Sequence, residues 1–202
     1  MEASATQETK FDDRVLKMSA AMDEFEGYEH SHGIRIAVIA DALAKSFNLA
    51  TRDRFALRHA ALIHDIGEMV MNREYIASIR VLRNEERMDL QRHPVIGEQE
   101  SAKRGFSRAV QLLVRWHHEW WNGSGYPDAL EHEQIPLAAR ILRVADTYCA
   151  LTDRRPYSVP ISASEAKRYL SEWAGIEFDP SVVKAFLSLG AMAELESFAE
   201  KS

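Results

Sequence analysis

The residues of this chain that could carry chemistry are histidines and aspartates set in apolar surroundings. His32 lies one turn before Ile36 on the apolar stripe of its segment and so points inward. His64 and Asp65 close the apolar run Ala60-Ala61-Leu62-Ile63, His93 precedes Pro94 inside a helical stretch, and His117 and His118 stand just before a turn-rich segment. Asp146 interrupts Ile141-Leu142-Arg143-Val144-Ala145, where an unpaired carboxylate is costly to bury. Each has a plain structural reading on its own: a hydrogen-bonded core histidine, or an aspartate salt-bridged to Arg143 or Arg155. His30, His59 and His132 are read that way, as surface or packing residues. Several inward histidines with two buried aspartates share one economical explanation, which is bound cations. Imidazole and carboxylate are the donors that borderline and hard divalent ions accept.

The dipeptide His64-Asp65 sharpens this chemistry. Neighbours on a helix cannot point the same way, but an aspartate has two oxygens and can bridge two metals while the histidine binds one. With a bridging hydroxide, that makes a paired-metal clamp suited to in-line displacement at phosphorus. Cys149 is the only cysteine, which excludes a disulfide framework or a thiolate metal cluster within one chain. The net charge of −6 argues against a broad basic surface for a nucleic acid polymer. A small phosphate ester held by a few residues and a cation stays compatible with it. No apolar run reaches membrane-spanning length and residues 1–10 carry no signal core, so the expectation is a cytoplasmic protein without a membrane partner.

The elements that must position these residues read as helices almost throughout. Periodicity predicts helices over 11–25, ended near Gly27, over 30–47, and from a Thr51 cap to Ile66, stopped at Gly67. Two more follow over 84–104 and 106–121, then a turn-rich loop from Asn122 to Asp128. Pro136 opens an apolar helix through Leu151. Ser162 with Glu165 forms a capping box, and Asp179-Pro180 caps a helix to Leu189. The expectation is an all-α bundle with one working loop and no significant sheet.

Five segments in order resemble the HD-GYP family of the HD phosphohydrolase superfamily, over about Tyr28 to Leu189. They are His32-Gly-Ile-Arg-Ile36, Leu62-Ile-His-Asp-Ile-Gly67, His93-Pro-Val-Ile-Gly97, His117-His-Glu-Trp-Trp-Asn-Gly-Ser-Gly-Tyr-Pro127 and Ile135-Pro-Leu-Ala-Ala-Arg-Ile-Leu-Arg-Val-Ala-Asp146. Shorter matches trail at Ala150-Leu-Thr152, Arg155-Pro-Tyr157 and Phe178-Asp-Pro180. The resemblance implies an HD-domain helical bundle with the extra C-terminal helices of this type. It places the phosphohydrolase domain over 28–190, between an N-terminal tail and short helix (1–27) and a helical tail (191–202). It implies two divalent metals, iron or manganese. His32, His64, Asp65 and Asp146 would hold one; Asp65, as the bridge, with His93, His117 and His118, would hold the other. Gly123, Gly125, Tyr126 and Pro127 form the loop named in the family motif, and the glycines let its backbone approach a ligand or partner. The family's activity is hydrolysis of cyclic dinucleotides, chiefly cyclic di-GMP, in bacterial signalling.

The chain departs from the family at five positions. Tyr28 and Cys149 replace carboxylates of three-metal members, which predicts two metals. Glu68 and Ser158 replace cations associated with the substrate phosphates, and Arg154 replaces an acidic residue. Arg155 remains, with Arg154 beside it, so Arg155, Arg154 and Glu68 are the expected substrate-binding positions. A charge swing from lysine to glutamate at Glu68 predicts weak activity on cyclic di-GMP, unless Glu68 pairs with Arg154 or Arg155. The leading expectation is a metal-dependent phosphodiesterase for a cyclic dinucleotide. The alternative is a catalytically weak module that keeps its metals and contacts a partner protein through the Gly-Tyr-Pro loop and Trp120-Trp121. Another phosphoester, such as a nucleotide monophosphate, is a third option, and a homodimer stays open.

Overall fold

The computed structural model describes residues 12–76, 80–154 and 159–189. Ten α-helices lie among the described residues: α1 (Asp13–Glu26), α2 (His32–Ser46), α3 (Thr51–Ile63), α4 (Ile66–Met71), α5 (Asn84–Leu90), α6 (His93–Lys103), α7 (Arg108–Trp116), α8 (Leu137–Thr152), α9 (Ala163–Glu172) and α10 (Pro180–Leu187). Extended pairing among them is limited to two isolated bridges, Asn122 with Glu131 and Ala174 with Phe178. None of the described helices is long and apolar enough to cross a membrane.

Local chemistry sets many of the ends. Asp12 caps α1 by accepting the Arg14 N–H at 2.9 Å, and Gly27 closes it in the left-handed region at φ 79°. Ser162 and Glu165 make the reciprocal capping box at α9, and Asp179 caps α10 through Ser181 N.

Helix α2 is the axis of the bundle. Its Ile36, Ile39 and Leu43 are fully buried against Leu57, Leu62 and Ile63 of α3 and Ile141, Val144 and Tyr148 of α8. Helix α7 packs on α3, α6 on α7 and α4 on α6, while α9 and α10 cover α8 through Leu170 and Phe186.

Four boundaries differ from the sequence expectation. Thr51 is the first residue of α3 rather than its cap, a place held by Ala50. Gly67 lies inside α4 instead of stopping α3; the break falls at His64-Asp65. A Cβ at Gly67 would sit 2.0 Å from the His93 carbonyl oxygen, so this glycine serves a backbone-to-backbone approach of α4 and α6. The 84–104 stretch breaks into α5 and α6 because Pro94 has no N–H to give the Leu90 carbonyl. The 106–121 helix ends at Trp116, which frees His117 and His118 from it.

Candidate metal centre

The site grows out of helix ends. A helix leaves its last carbonyls without intrahelical donors, and here histidines take them. His64, just past α3, lies with Nδ1 3.0 Å from the Ala61 carbonyl, and His117, just past α7, with Nδ1 2.7 Å from Val114 O. The Leu90 carbonyl that Pro94 cannot serve is met by His93 Nδ1 at 2.7 Å. His32, the first residue of α2, places Nδ1 2.7 Å from Oδ2 of Asp153, the C-cap of α8. Carbonyl and carboxylate oxygens only accept, so in all four rings Nδ1 donates and Nε2 is the inward, metal-competent nitrogen.

Those nitrogens converge on two aspartates. Asp65 Oδ1 lies 3.1 Å from His93 Nε2 and 3.2 Å from His117 Nε2, while its Oδ2 lies 3.2 Å from His64 Nε2. Asp146 Oδ1 is 3.7 Å from both His32 Nε2 and His64 Nε2. Donor atoms of His32, His64 and Asp146 lie within 4.8 Å of one another, as do those of Asp65, His93, His117 and His118. The structure thus brings together all seven residues singled out in the sequence, in two groups joined by Asp65.

The donor set fits divalent ions. His32 Nε2, His64 Nε2 and Asp65 Oδ1 are buried without a hydrogen bond, and two ring nitrogens, of His93 and His117, face each other at 3.3 Å. Burial opposes ionisation of Asp65, yet His64, His117 and His93 hold its carboxyl well below the usual range. Asp146 is likewise held low against its burial by His32, His64 and Arg143. Burial pushes His117 down, and burial with its His117 and Arg143 neighbours pushes His118 well down. In the other group, burial is outweighed by Asp146 and Asp153, which carry His32 up to about 9. His64 is raised for the same kind of reason, by Asp65 and Asp146. The neighbouring carboxylates thus favour the charged form of the His32 and His64 rings.

The Gly-Tyr-Pro loop closes one side. A Cβ on Gly125 would fall 2.2 Å from Trp120 N, so only glycine lets the loop fold back over its own start. That fold, fastened by Tyr126 N to His118 O at 3.1 Å, stacks the Tyr126 ring on His118 with centroids 4.8 Å apart. The Tyr126–Pro127 peptide is cis, and Gly123 takes φ 80°.

The departures from the family pattern also have places. Tyr28 stacks flat on His32 at 3.8 Å, and Cys149 is buried in the core. Glu68 joins Glu26 and Asp65 in a third group of close carboxylates, and burial followed by the charge of Asp65 raises its pKa well above the ordinary range. Arg154 pairs at 3.9 Å with Glu29, and among the described residues no ion pair links it to Glu68. Arg155 and Ser158 lie outside the described residues. His30 and His132 are exposed, and His59 is a buried packing residue with Nδ1 2.9 Å from Phe55 O.

Three acidic residues at the site escaped the sequence reading. Asp153 orients His32 and is itself held by Arg35 Nη1 at 2.5 Å. Glu177, buried between α9 and α10, accepts from Arg143 and Tyr169. Glu119 accepts the backbone N–H groups of Asp128 at 2.7 Å and Leu130 at 3.0 Å, fixing the loop from beneath. Only Glu119 carried a local signal, as the third residue of the His-His-Glu run.

Known proteins resemble this chain in sequence and in fold. The family model described as HD domain matches residues 13–182. A cyclic di-GMP phosphodiesterase of Thermotoga maritima is 31% identical over 188 residues, covering 90% of this chain and 51% of that protein. One from Pseudomonas aeruginosa is 35% identical over 84% of this chain and 42% of its own length. A 3'3'-cGAMP-specific phosphodiesterase of Vibrio cholerae is 28% identical over 86% of this chain and 34% of its own. This chain spans about half the length, or less, of the curated relatives it matches. In fold, a cyclic GMP-AMP specific phosphodiesterase of Vibrio cholerae superposes with a TM-score of 0.75 at 21% identity, over 93% of this chain and 50% of that one.

Proposed function

The chain belongs to the HD-domain family, in its HD-GYP branch, and on that premise we propose that it is a metal-dependent phosphodiesterase of cyclic dinucleotides, with cyclic di-GMP the first substrate to test. The observation that carries this reading is Asp65: one oxygen faces His93 and His117, the other faces His64. His32, His64, Asp65 and Asp146 would hold one divalent ion, and Asp65, His93, His117 and His118 the other, with iron or manganese suited to such nitrogen and oxygen donors. When bound, a metal pair polarises a phosphoryl oxygen and activates water at neutral pH. The chain's own part is to aim four imidazole nitrogens through backbone and carboxylate partners, keep Asp65 and Asp146 ionised, and cover His118 with Tyr126. Arg154 and Arg155, beyond the end of α8, remain substrate-binding proposals along with Glu68.

One observation favours a second reading, a module with little turnover. Glu68 stands buried beside Asp65 where a cation would hold a phosphate better, and the loop of Gly123, Gly125, Tyr126 and Pro127 could then contact a protein partner. The deciding experiment is metal analysis of the purified chain with product analysis after incubation with cyclic di-GMP and 3'3'-cGAMP. Two metals with a linear product support the phosphodiesterase; two metals without turnover support the module. Asp65→Ala is expected to lose both metals and His93→Ala mainly one; unchanged metal content in both would refute the ligand assignment.

A further inference from the structure

His118 is wired in the opposite sense to the other site histidines. Its Nδ1 lies 2.9 Å from Nη1 of Arg143, on α8. A guanidinium has only donors, so His118 Nδ1 accepts, and the proton of the neutral ring sits on Nε2. Arg143 Nη1 also lies 3.6 Å from Asp146 Oδ2. Among the described residues it is the cation paired with donors of both metal groups. Its other arm donates to Glu177, whose side chain is 3% exposed, and its Nε is buried without a hydrogen bond.

We propose that Arg143 is the cation through which this site recognises a phosphate oxygen of its substrate, and that His118 occupies its free N–H until a divalent ion takes the imidazole. This rests on the phosphodiesterase reading for its substrate, though not for its test. If His118 ligates through Nδ1, the lone pair that Arg143 uses is gone. If it ligates through Nε2, the proton moves to Nδ1 and donor faces donor. Either way Nη1 would lose its short hydrogen bond with a divalent ion bound, keeping only the longer 3.6 Å approach to Asp146 Oδ2, and a largely buried guanidinium N–H without a hydrogen bond is costly. An anionic oxygen arriving beside the metals repairs that loss. A planar fork suits phosphate oxygens, and Glu177 already holds the second arm in place, so little side-chain freedom is lost on binding. The assignment also explains how a site with Glu68 in its wall, and with Arg154 turned to Glu29, offers a phosphate a positive contact.

The test uses the full chain loaded with manganese, with inorganic phosphate as probe and calorimetry as readout. Arg143→Met keeps length and removes the charge; Arg143→Lys keeps the charge and removes the fork. Arg143→Met is expected to retain its manganese and bind phosphate about tenfold more weakly or worse, the scale of one charge-assisted hydrogen bond. Arg143→Lys should recover part of that affinity and, should Arg143→Met fail to fold, carries the test alone through a smaller loss. With a cyclic dinucleotide, the loss should fall on KM more than on kcat. Unchanged phosphate affinity at equal metal content overturns the proposal, and so does loss of manganese in both variants, which would make Arg143 a support of the ligands. The two readings fail separately. A natural chain that cleaves no cyclic dinucleotide yet binds phosphate through Arg143 removes only the phosphodiesterase. A natural chain that cleaves, with an unimpaired Arg143→Met, removes only this inference.

Discussion

Replacing Asp153 by asparagine isolates one link between the fold and the metal centre. Asp153 Oδ2 takes the His32 Nδ1–H at 2.7 Å while Oδ1 takes Arg35 Nη1 at 2.5 Å. An asparagine of the same shape has one acceptor oxygen and one amide nitrogen, so it cannot accept from both. If its oxygen stays with the guanidinium, its NH2 faces His32 Nδ1 and drives the ring proton to Nε2, the nitrogen that must be free for metal. Losing a hydrogen bond to a charged group costs about 1.5–3 kcal/mol. That agrees with the ~10–100-fold loss of metal affinity typical of changes behind a ligating histidine. Arg35 stays anchored by Thr152 Oγ1 at 2.7 Å and by the Tyr148 ring, so the fold should survive with a reduced melting temperature. Manganese titration with resolved stoichiometry is the assay. Weakening should be confined to the group of His32, His64 and Asp146, leaving the group of His93 and His117 near its original affinity. Equal weakening of both groups, or none in either, would refute the argument that Asp153 acts by setting the His32 tautomer.

Other outcomes follow from the same geometry. Burial, followed by the charge of Asp65, raises the Glu68 pKa well above the ordinary range, which favours the uncharged carboxyl, so the gain from Glu68→Lys is set mainly by the one positive charge that the lysine brings. At an effective dielectric near 20 and about 6 Å that is at most ~3 kcal/mol, and kcat/KM for a cyclic dinucleotide should rise by up to ~100-fold; an unchanged or lower value at equal metal content removes Glu68 as the obstacle. Gly67→Ala forces a methyl against the His93 carbonyl; a loss of about 1–3 kcal/mol in chemical denaturation, with metal lost first from the His93 group, is expected, and a neutral result would show that α4 and α6 can part freely. Metal must displace a proton from His32, whose pKa is pushed up to about 9, so affinity of that group should climb with pH and level off above it, with proton release seen in weakly buffered titrations. In the metal-free protein the same raised pKa stabilises the fold fully below the ordinary value of 6.5 and ceases to as pH rises through about 9, so alkaline melting temperatures should fall until metal is added.

What could be read from sequence was whatever short-range chemistry decides. The Gly27 end of α1 and the Ser162–Glu165 box follow from residues within a few positions of each other. So does the inward aim of His32, because helical periodicity carries it. Gly67 shows the opposite case: locally it resembles a helix stop, yet the carbonyl of a residue 26 positions later dictates why it must be glycine. Asp153 is 121 positions from His32, and Glu177 is 34 from Arg143. No periodicity connects such pairs, and they become neighbours only once α2, α8 and the α9–α10 connection pack. Histidine identity was therefore visible before histidine orientation, and orientation is what divides His118 from the rest.

The bracing of the Gly-Tyr-Pro loop has a consequence for how anything docks on it. Glu119 grips the loop's backbone from below, Arg115 and Trp116 clamp Asp128 at 2.6–2.7 Å from the side, and Trp121 and Asn122 are sewn to the carbonyls of Glu177 and Ile176. A segment tied at so many points has already surrendered its conformational entropy during folding. A visitor to this surface meets a finished mould, and the free energy of contact goes into holding the visitor instead of shaping the host. Association here should consequently resemble rigid docking, fast to form and sensitive to shape, with selectivity set by what fits and not by what can be persuaded to move.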